Sequence, residues 1–236
     1  MTKTILFLVC TFLSLGINAQ SIIGAWEGAH TSEERGNLKS VLIVSEKHQS
    51  IAVYDADTGA FVSTNGGSWK LDGNTMTETV EFDSANPENV GREFSFEISL
   101  KDSTLEIPAM GITLKRIDDN TPGVLHGAWL MSGRNIEGKT ELRDTDTPRK
   151  TMKILSGTRF QWIAYNTETK QFMATGGGTY TTEDGIYTEN IEFFSRDNSR
   201  VGLQLQFDYE VQNGNWHHTG LSSKGDPIDE FWSPRK

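Results

Sequence analysis

The stretch Gly176-Gly-Gly-Thr-Tyr-Thr-Thr-Glu-Asp-Gly-Ile-Tyr-Thr-Glu-Asn-Ile-Glu-Phe193 repeats an earlier one, Asn65-Gly-Gly-Ser-Trp-Lys-Leu-Asp-Gly-Asn-Thr-Met-Thr-Glu-Thr-Val-Glu-Phe82. In both, glycines precede an alternating run that carries a glutamate and ends in Glu-Phe. Glu78 and Glu189 hold the same place, 111 positions apart, and the other identities follow the same separation. The chain is therefore an internal duplication, and one structural account must serve both copies.

The end of each stretch alternates in the two-residue period of a β-strand. One face of this strand carries Tyr187, Glu189, Ile191 and Phe193 in the second copy, and Met76, Glu78, Val80 and Phe82 in the first. This apolar face should be buried, so we expect Glu78 and Glu189 to point inward, where an unpaired carboxylate is costly. The opposite face places Glu81 and Glu192 in solvent.

Two local signals frame these strands. Gly66-Gly67 and Gly176-Gly177-Gly178 indicate a β-bulge or a sharp strand bend, because glycine tolerates backbone angles that other residues avoid. Asp72-Gly73 and Asp184-Gly185 are typical of hairpin turns. Each strand is therefore expected to form half of an antiparallel hairpin.

Strand signals recur at short, even spacing through both copies, and no window shows a convincing helical period. They include separate strands at Ala60–Ser63 and Trp69–Leu71. About eight or nine sequential strands per copy are enough to close an up-and-down barrel, which also removes exposed sheet edges. We predict an all-β fold with two tandem up-and-down antiparallel β-barrels of lipocalin-like type, and a β-sandwich is the alternative.

The copies open at Gly24-Ala-Trp26 and Gly127-Ala-Trp129, which are 103 rather than 111 positions apart. The second copy therefore carries eight additional residues, within Ser132 to Lys150, between its first and second strands. We expect them to form an enlarged loop, a candidate lid. The predicted domains are residues 20–118 and residues 125–236, joined by a polar linker over residues 119–124.

Residues 1–19 have the pattern of a signal peptide. Lys3 forms a short basic region, Ile5–Leu15 is apolar, and Ile17-Asn-Ala19 is a plausible cleavage site. The apolar run is too short for a membrane span, and Cys10 inside it is a poor lipoprotein acceptor. The processed chain has no cysteine, so its core must hold the fold without disulfides. We expect an exported protein, periplasmic or secreted.

Charge and motif content exclude several classes of partner. The formal net charge of −10 argues against nucleic acid and anionic membranes, since both bind basic patches. His217 and His218 are neighbours on a strand and point to opposite faces, so they cannot share a metal ion. The chain has no nucleophile elbow and no phosphate-binding loop before a helix. We expect no metal, no cofactor and no membrane-spanning segment, and the oligomeric state stays open.

The opening tripeptides Gly24-Ala-Trp26 and Gly127-Ala-Trp129 carry the Gly-x-Trp motif of lipocalins and related calycins. In that family the tryptophan closes the barrel floor and an arginine on the last strand packs across it. The resemblance implies these roles for Trp26 and Trp129, and for Arg116 and Arg235. As a whole, the chain resembles the tandem lipocalin-like domains of exported bacterial proteins, mostly of unassigned function. Copies of about 100 residues lack room for the family's C-terminal helix and long loops, which argues against a large ligand cavity.

The inward glutamates have two interpretations. Glu189, with Tyr187 nearby, could orient a polar ligand group or act as a general acid or base. Alternatively, Glu78 and Glu189 are structural carboxylates, paired with a core arginine or with backbone amides at the glycine bulge. Both copies keep the glutamate although Met76 replaces Tyr187, which favours the structural role.

Aromatic residues are concentrated in the second copy, where Trp162 stands in place of Ile51. Core packing explains most of them, but rings with a few polar groups at a barrel mouth suit a small apolar ligand or a sugar face. We predict that the second barrel binds and the first supports it. The predicted ligand-binding residues are Glu189, Tyr187, Trp162, Tyr180 and Phe207.

Three functions follow, in order of preference. The first is non-enzymatic binding of a small apolar or amphipathic molecule outside the cytoplasm. The second is a protein- or glycan-interaction module, which requires filled barrels and an exposed aromatic patch. The third is a hydrolase or isomerase that uses Glu189 and Tyr187.

Overall fold

The computed structural model describes residues 21–119 and 121–236, so the predicted signal peptide over residues 1–19 lies outside the described residues. These residues form two closed or nearly closed antiparallel β-barrels in tandem, which confirms the all-β, two-barrel fold. Helical structure in the described part consists of three short 3-10 turns, at Pro87–Asn89, Pro108–Met110 and Asn198–Arg200. No helix there is long and apolar enough to cross a bilayer.

The first barrel is a meander that closes on itself. Its strands are β1 (Gly24–Ser32), β2 (Gly36–Val44), β3 (His48–Asp55), β4 (Phe61–Asp72), β5 (Thr75–Asp83), β6 (Glu93–Glu97), β7 (Ser99–Lys101), β8 (Thr104–Ile107) and β9 (Ile112–Arg116). Consecutive strands pair from β1 to β6 and from β7 to β9, and β9 pairs with β1. Ile98 alone separates β6 from β7, so one kinked strand completes the circle.

The second barrel repeats this order with one addition. Its strands are β10 (Gly127–Ile136), β11 (Lys139–Leu142), β12 (Arg149–Leu155), β13 (Arg159–Asn166), β14 (Gln171–Glu183), β15 (Ile186–Phe194), β16 (Gln204–Gln212), β17 (Asn215–Leu221) and β18 (Pro227–Pro234). Pairing of β18 with β10 closes the barrel. The extra residues of this copy are not simply a loop, because β10 runs on to Ile136 and turns back as the hairpin strand β11.

The glycines act as predicted. The ladder between β4 and β5 shifts register between Gly66 and Gly67, and the ladder between β14 and β15 shifts between Gly177 and Gly178. A Cβ on Gly67 would lie 2.0 Å from the Thr79 carbonyl oxygen of the paired strand. The bulge lets the strand bend without breaking, so the strands predicted at 60–63 and 69–71 are a single strand, β4.

The opening tryptophans differ in their arginine partners. Trp26 lies opposite Arg116 in the β1–β9 ladder, and the guanidinium carbon stands 4.0 Å from the centre of an indole ring. Trp129 lies opposite Pro234 instead. Arg235, one position further on, points to the other face of the sheet, because side chains alternate along a strand. The packing role expected of Arg235 is therefore wrong: this arginine bonds to Glu81 of the first barrel, at 2.6 Å.

The two barrels pack against each other through the outer faces of equivalent strands. The buried residues of this contact, the inter-barrel cluster, are Val41, Ile43, Ala52, Tyr54 and Phe82 from the first copy and Ala128, Leu130, Met152, Ile154, Ile163, Tyr165 and Phe193 from the second. Tyr54 stacks on Phe193 and Tyr165 packs on Phe82, each with ring centres 4.9 Å apart. The contact is thus nearly symmetric in the two copies.

Charged residues frame this cluster, which overturns the prediction that Glu81 and Glu192 are solvated. The Tyr54 hydroxyl donates to Glu192 at 2.6 Å, and the equivalent Tyr165 hydroxyl donates to Glu81 at 2.7 Å. Glu192 also pairs with Arg159 at 2.6 Å. The other barrel therefore covers Glu81 and Glu192 on the polar faces of the repeated strands.

The chain between the barrels is anchored at Asp118, next to the predicted linker. This buried carboxylate accepts a hydrogen bond from the Ala25 amide of the first barrel, at 2.8 Å. It also accepts bonds from Thr158 and from the Gly157 amide in the turn between β12 and β13. Asp118 thus ties both barrels to the connection.

Candidate functional site

Each barrel encloses one cavity with a glutamate in its wall. The cavity of the first barrel measures about 280 Å³ and includes Glu78, and that of the second measures about 270 Å³ and includes Glu189. Both glutamates sit on the inward face of the repeated strand, with 9% and 4% of their surface exposed. The barrels are therefore hollow, which the interaction-module alternative did not allow. The large exposed apolar side chains in the described residues also include no aromatic ring.

Glu189 is held by an internal cation. Lys153, on the inward face of β12, places its Nζ atom 2.8 Å from Glu189 Oε1. The Tyr187 hydroxyl donates to the same oxygen at 2.9 Å. A buried carboxylate needs such partners because its water has been removed. The structural interpretation predicted a core arginine or backbone amides here, and the partner is a lysine.

The lysine ammonium is surrounded by aromatic rings. Its Nζ atom lies 4.9 Å from the ring centres of Tyr187 and Trp216, and 5.2 Å from that of Trp232. The negative faces of aromatic rings attract a cation at these distances. The rings therefore stabilise the charge of Lys153 while they exclude water.

A second polar pair lies beside the first. His218 on β17 faces Glu230 on β18 in the sheet register, and their Nε2 and Oε2 atoms are 3.3 Å apart. Burial, reinforced by the charge of Lys153, lowers the pKa of His218 below its usual value, so the ring is neutral at pH 7. Burial pushes the pKa of Glu230 upward, but contact with His218 and the charge of Lys153 outweigh it and hold that pKa low.

His218 has spare hydrogen-bonding capacity. The residue is 1% exposed and lines the cavity. Neither of its ring nitrogens has a well-aligned hydrogen-bond partner among residues 21–119 and 121–236. A buried polar group in this state indicates a site for water or a ligand atom. This end of the cavity is therefore the polar end of the second-barrel site.

Apart from Thr151, Ser222 and Ser223, the rest of the cavity wall is apolar. Trp162 and Phe194 meet edge to face with ring centres 5.4 Å apart. The other apolar residues of the wall are Met131, Ile191, Leu205, Phe207, Ile228 and Trp232. The second cavity thus joins an apolar body to one polar end.

Three of the five predicted ligand-binding residues, Glu189, Trp162 and Phe207, line this cavity. Tyr187 and Tyr180 are packed in the core behind it and do not line it. The Tyr187 hydroxyl is used by Glu189, and the Tyr180 hydroxyl donates to the Ser156 carbonyl at 2.6 Å. Both tyrosines therefore support the wall of the site.

Sequence reasoning missed Lys153, His218 and Glu230. Adjacent histidines on a strand point to opposite faces, which excludes a shared metal ion but leaves a separate role for His218 open. That geometry is correct, since His217 pairs with Asp229 at 2.7 Å while His218 turns inward. A comparison of equivalent positions in the two copies does point to Lys153, because this lysine replaces an apolar residue, Leu42, of the first copy.

The first cavity has the same glutamate in a different setting. Gln49 donates its side-chain amide to Glu78 Oε1, and Leu42 stands where the second barrel has Lys153. The pKa of Glu78 is raised to about 7, mainly by burial and also by the charge of nearby Asp83, against the lowering effect of the bond from Gln49. The two cavities are therefore similar in size, but Glu189 is paired with a lysine whereas Glu78 is bonded to a neutral amide.

No group of three or more histidine, cysteine, aspartate or glutamate side chains in the described part of the chain is arranged to hold a metal ion.

A comparison with protein families finds a match to the second barrel. No curated protein matches the chain. Residues 124–234, which contain the whole of the second barrel from β10 to β18, match the model of a family described as a domain of unknown function, DUF4488.

Proposed function

We propose that the protein binds a small, neutral amphipathic molecule in the cavity of the second barrel and does not convert it chemically. The observation that carries this proposal is a hollow barrel whose largely apolar wall includes His218, a buried ring whose nitrogens have no well-aligned hydrogen-bond partner among the described residues. Pockets for small ligands combine such apolar walls with a few placed polar groups.

Cavity volume limits the ligand. An apolar cavity of roughly 150 Å³ holds benzene. The second cavity, at about 270 Å³, should therefore accept a body of roughly ten non-hydrogen atoms. This suits a short alkyl chain or a substituted single ring, and it excludes a long lipid.

Charge in the cavity favours a neutral, hydroxyl-bearing ligand. Lys153 neutralises Glu189, and Glu230 adds one negative charge beside a neutral His218. A hydroxyl group can donate to the Glu230 carboxylate or accept from a ring N–H of His218. A ligand carboxylate would instead be repelled by Glu230.

The engagement of Glu189 argues against the enzyme alternative. A general acid or base must exchange its proton with a substrate, but Glu189 is already bonded to Lys153 and to Tyr187. Binding alone asks only for the cavity and its polar end.

Two further features belong to this proposal. We propose that both barrels are lipocalin-like, supported by their antiparallel meanders and by Arg116 stacked on Trp26. We also propose that the protein acts outside the cytoplasm, supported by the signal-peptide pattern of residues 1–19.

Isothermal titration calorimetry with 1-octanol and octanoate tests the proposal. We expect octanol to bind and octanoate to bind at least tenfold more weakly. Trp162→Ala, which removes an aromatic wall of the second cavity, should weaken octanol binding at least tenfold. The matched control is Ile51→Ala, since Ile51 holds the equivalent position in the wall of the first cavity. Loss of binding in Ile51→Ala with retention in Trp162→Ala would contradict the assignment to the second barrel, and so would failure of the folded protein to bind octanol.

A further inference from the structure

The cavity of the first barrel contains a buried carboxylate without a cation. Glu78 is 9% exposed, and no lysine, arginine or histidine among the described residues lies within ion-pair distance of it. Its Oε1 atom accepts a hydrogen bond from Gln49, whereas no described side chain donates to Oε2. Taking a carboxylate out of water without a counter-charge is costly.

The charged residue that shares this cavity adds to the imbalance. Asp83 also lines it. Its carboxylate is already occupied by the amides of Ala85 and Asn86, at 3.0 and 2.8 Å, and by the Asn89 side chain at 2.8 Å. Above its pKa of about 7, Glu78 joins Asp83 in giving the first cavity a negative charge, and no side chain among the described residues donates to its Oε2 atom.

The second barrel shows what completes such a site. There the equivalent Glu189 is bound by the Lys153 ammonium, at 2.8 Å, and the ammonium enters from a strand position that Leu42 occupies in the first barrel. The leucine side chain ends in methyl groups and supplies no charge. The first barrel therefore has no lysine ammonium at the position equivalent to Lys153.

We propose that the first barrel binds a small primary amine, whose ammonium group takes on Glu78 the place that the Lys153 ammonium takes on Glu189. The apolar body of the amine would lie against Ile51, Phe94, Phe96, Leu105 and Ile107, which line the same cavity. The volume of about 280 Å³ again limits the ligand to roughly ten non-hydrogen atoms. This site is separate from the one in the second barrel and does not depend on it.

A route into the cavity is visible. Met110, in the 3-10 turn Pro108–Met110, lines the cavity and is 53% exposed. The wall of the cavity therefore reaches the protein surface at this turn, which is where we expect a ligand to enter.

Calorimetry with octylamine at pH 8 tests this proposal. We expect Glu78→Gln, whose amide oxygen can still accept the bond from Gln49, to weaken octylamine binding at least tenfold. Trp162→Ala should leave octylamine binding unchanged, because Trp162 lines the other cavity. The octylamine experiment therefore tests the first cavity independently of the octanol experiment, which tests the second.

Two exchange variants sharpen the test. Leu42→Lys should place an internal ammonium on Glu78 and weaken octylamine binding at least tenfold. The reciprocal Lys153→Leu should create a second octylamine site, so that the stoichiometry rises from one to two. If either exchange variant fails to fold, Glu78→Gln decides alone. Octylamine binding that is equal in wild type and Glu78→Gln, or absent from the folded wild-type protein, would overturn the proposal.

Discussion

Ser50 and Gln161 occupy the same position in the two copies, and they hydrogen-bond to each other at 2.5 Å across the contact between the barrels. Equivalent residues meet in this way only near a two-fold axis, where each surface patch packs on its own counterpart. The reciprocal bonds of Tyr54 to Glu192 and Tyr165 to Glu81 follow the same symmetry. The duplicated chain therefore packs its two halves as the subunits of a symmetric dimer would pack.

Arg235 should be a major contributor to this contact. Its guanidinium bonds to Glu81 at 2.6 Å and to the Tyr165 hydroxyl at 2.8 Å. In Arg235→Ala the Glu81 carboxylate would stay partly buried without its cation, so we expect the free energy of unfolding to fall by about 2–4 kcal/mol. Urea denaturation measures the loss. As the matched control, Lys170→Ala removes the more exposed pair with Glu88 and should cost only about 0–1 kcal/mol.

Glu78 should make stability depend on pH. Its pKa is raised from the usual 4.5 to about 7 by burial, so the folded protein keeps a proton there that the unfolded chain releases above pH 4.5. The stabilisation is complete below about pH 4.5 and is lost as pH rises through 7. Relative to Glu78→Gln, the wild-type free energy of unfolding should fall by about 3 kcal/mol across this range. Urea denaturation at intervals between pH 4 and 8 compares the two proteins, and parallel curves would refute the prediction.

Lys153 and Glu189 should depend on each other. Lys153→Met leaves a buried carboxylate without its cation, and we expect a loss of about 3–5 kcal/mol in the free energy of unfolding. The double variant Lys153→Met/Glu189→Gln removes both charges and should recover most of that loss. Thermal and urea unfolding of the two variants and of Glu189→Gln complete a double-mutant cycle. A double variant no more stable than Lys153→Met would show that the pair is not the source of the effect.

The bulge glycines should resist any side chain. A Cβ on Gly67 would lie 2.0 Å from the Thr79 carbonyl oxygen of the adjacent strand, so Gly67→Ala should force the strands apart and cost about 3 kcal/mol. Gly73, in the following turn, has open space around it and φ of 58°. Gly73→Ala should therefore cost only about 1 kcal/mol, for the left-handed backbone alone. Urea midpoints distinguish the two, and equal losses would contradict the steric explanation.

Local patterns predicted most of the strands and the buried glutamates correctly, although they divided β4 in two and missed β11. The two-residue period is a property of the strand itself, so it places Glu78 and Glu189 inside without knowledge of the rest of the fold. The glycine bulges follow from steric demands that are equally local.

Features that depend on contact between distant strands could not be predicted from the sequence. Glu81 and Glu192 lie on the polar face of their strands, and only the packing of one barrel on the other shows that this face is covered. Lys153 resembles an ordinary solvated lysine until Glu189, 36 positions later, is placed beside it. Arg235 lies one position past Pro234, the ladder partner of Trp129, and a difference of one position in register places its side chain on the opposite face.

The bond between Glu81 and Arg235 joins residues 154 positions apart, and this has a consequence for biosynthesis. The first barrel can close its sheet as soon as β9 has been made, yet its outer face with Tyr54 and Phe82 stays bare until the second barrel is finished. A nascent chain at that stage exposes an apolar patch that is complementary to the equivalent face of a similar barrel. Premature pairing between the first barrels of neighbouring nascent chains is therefore the misassembly that this fold favours during synthesis.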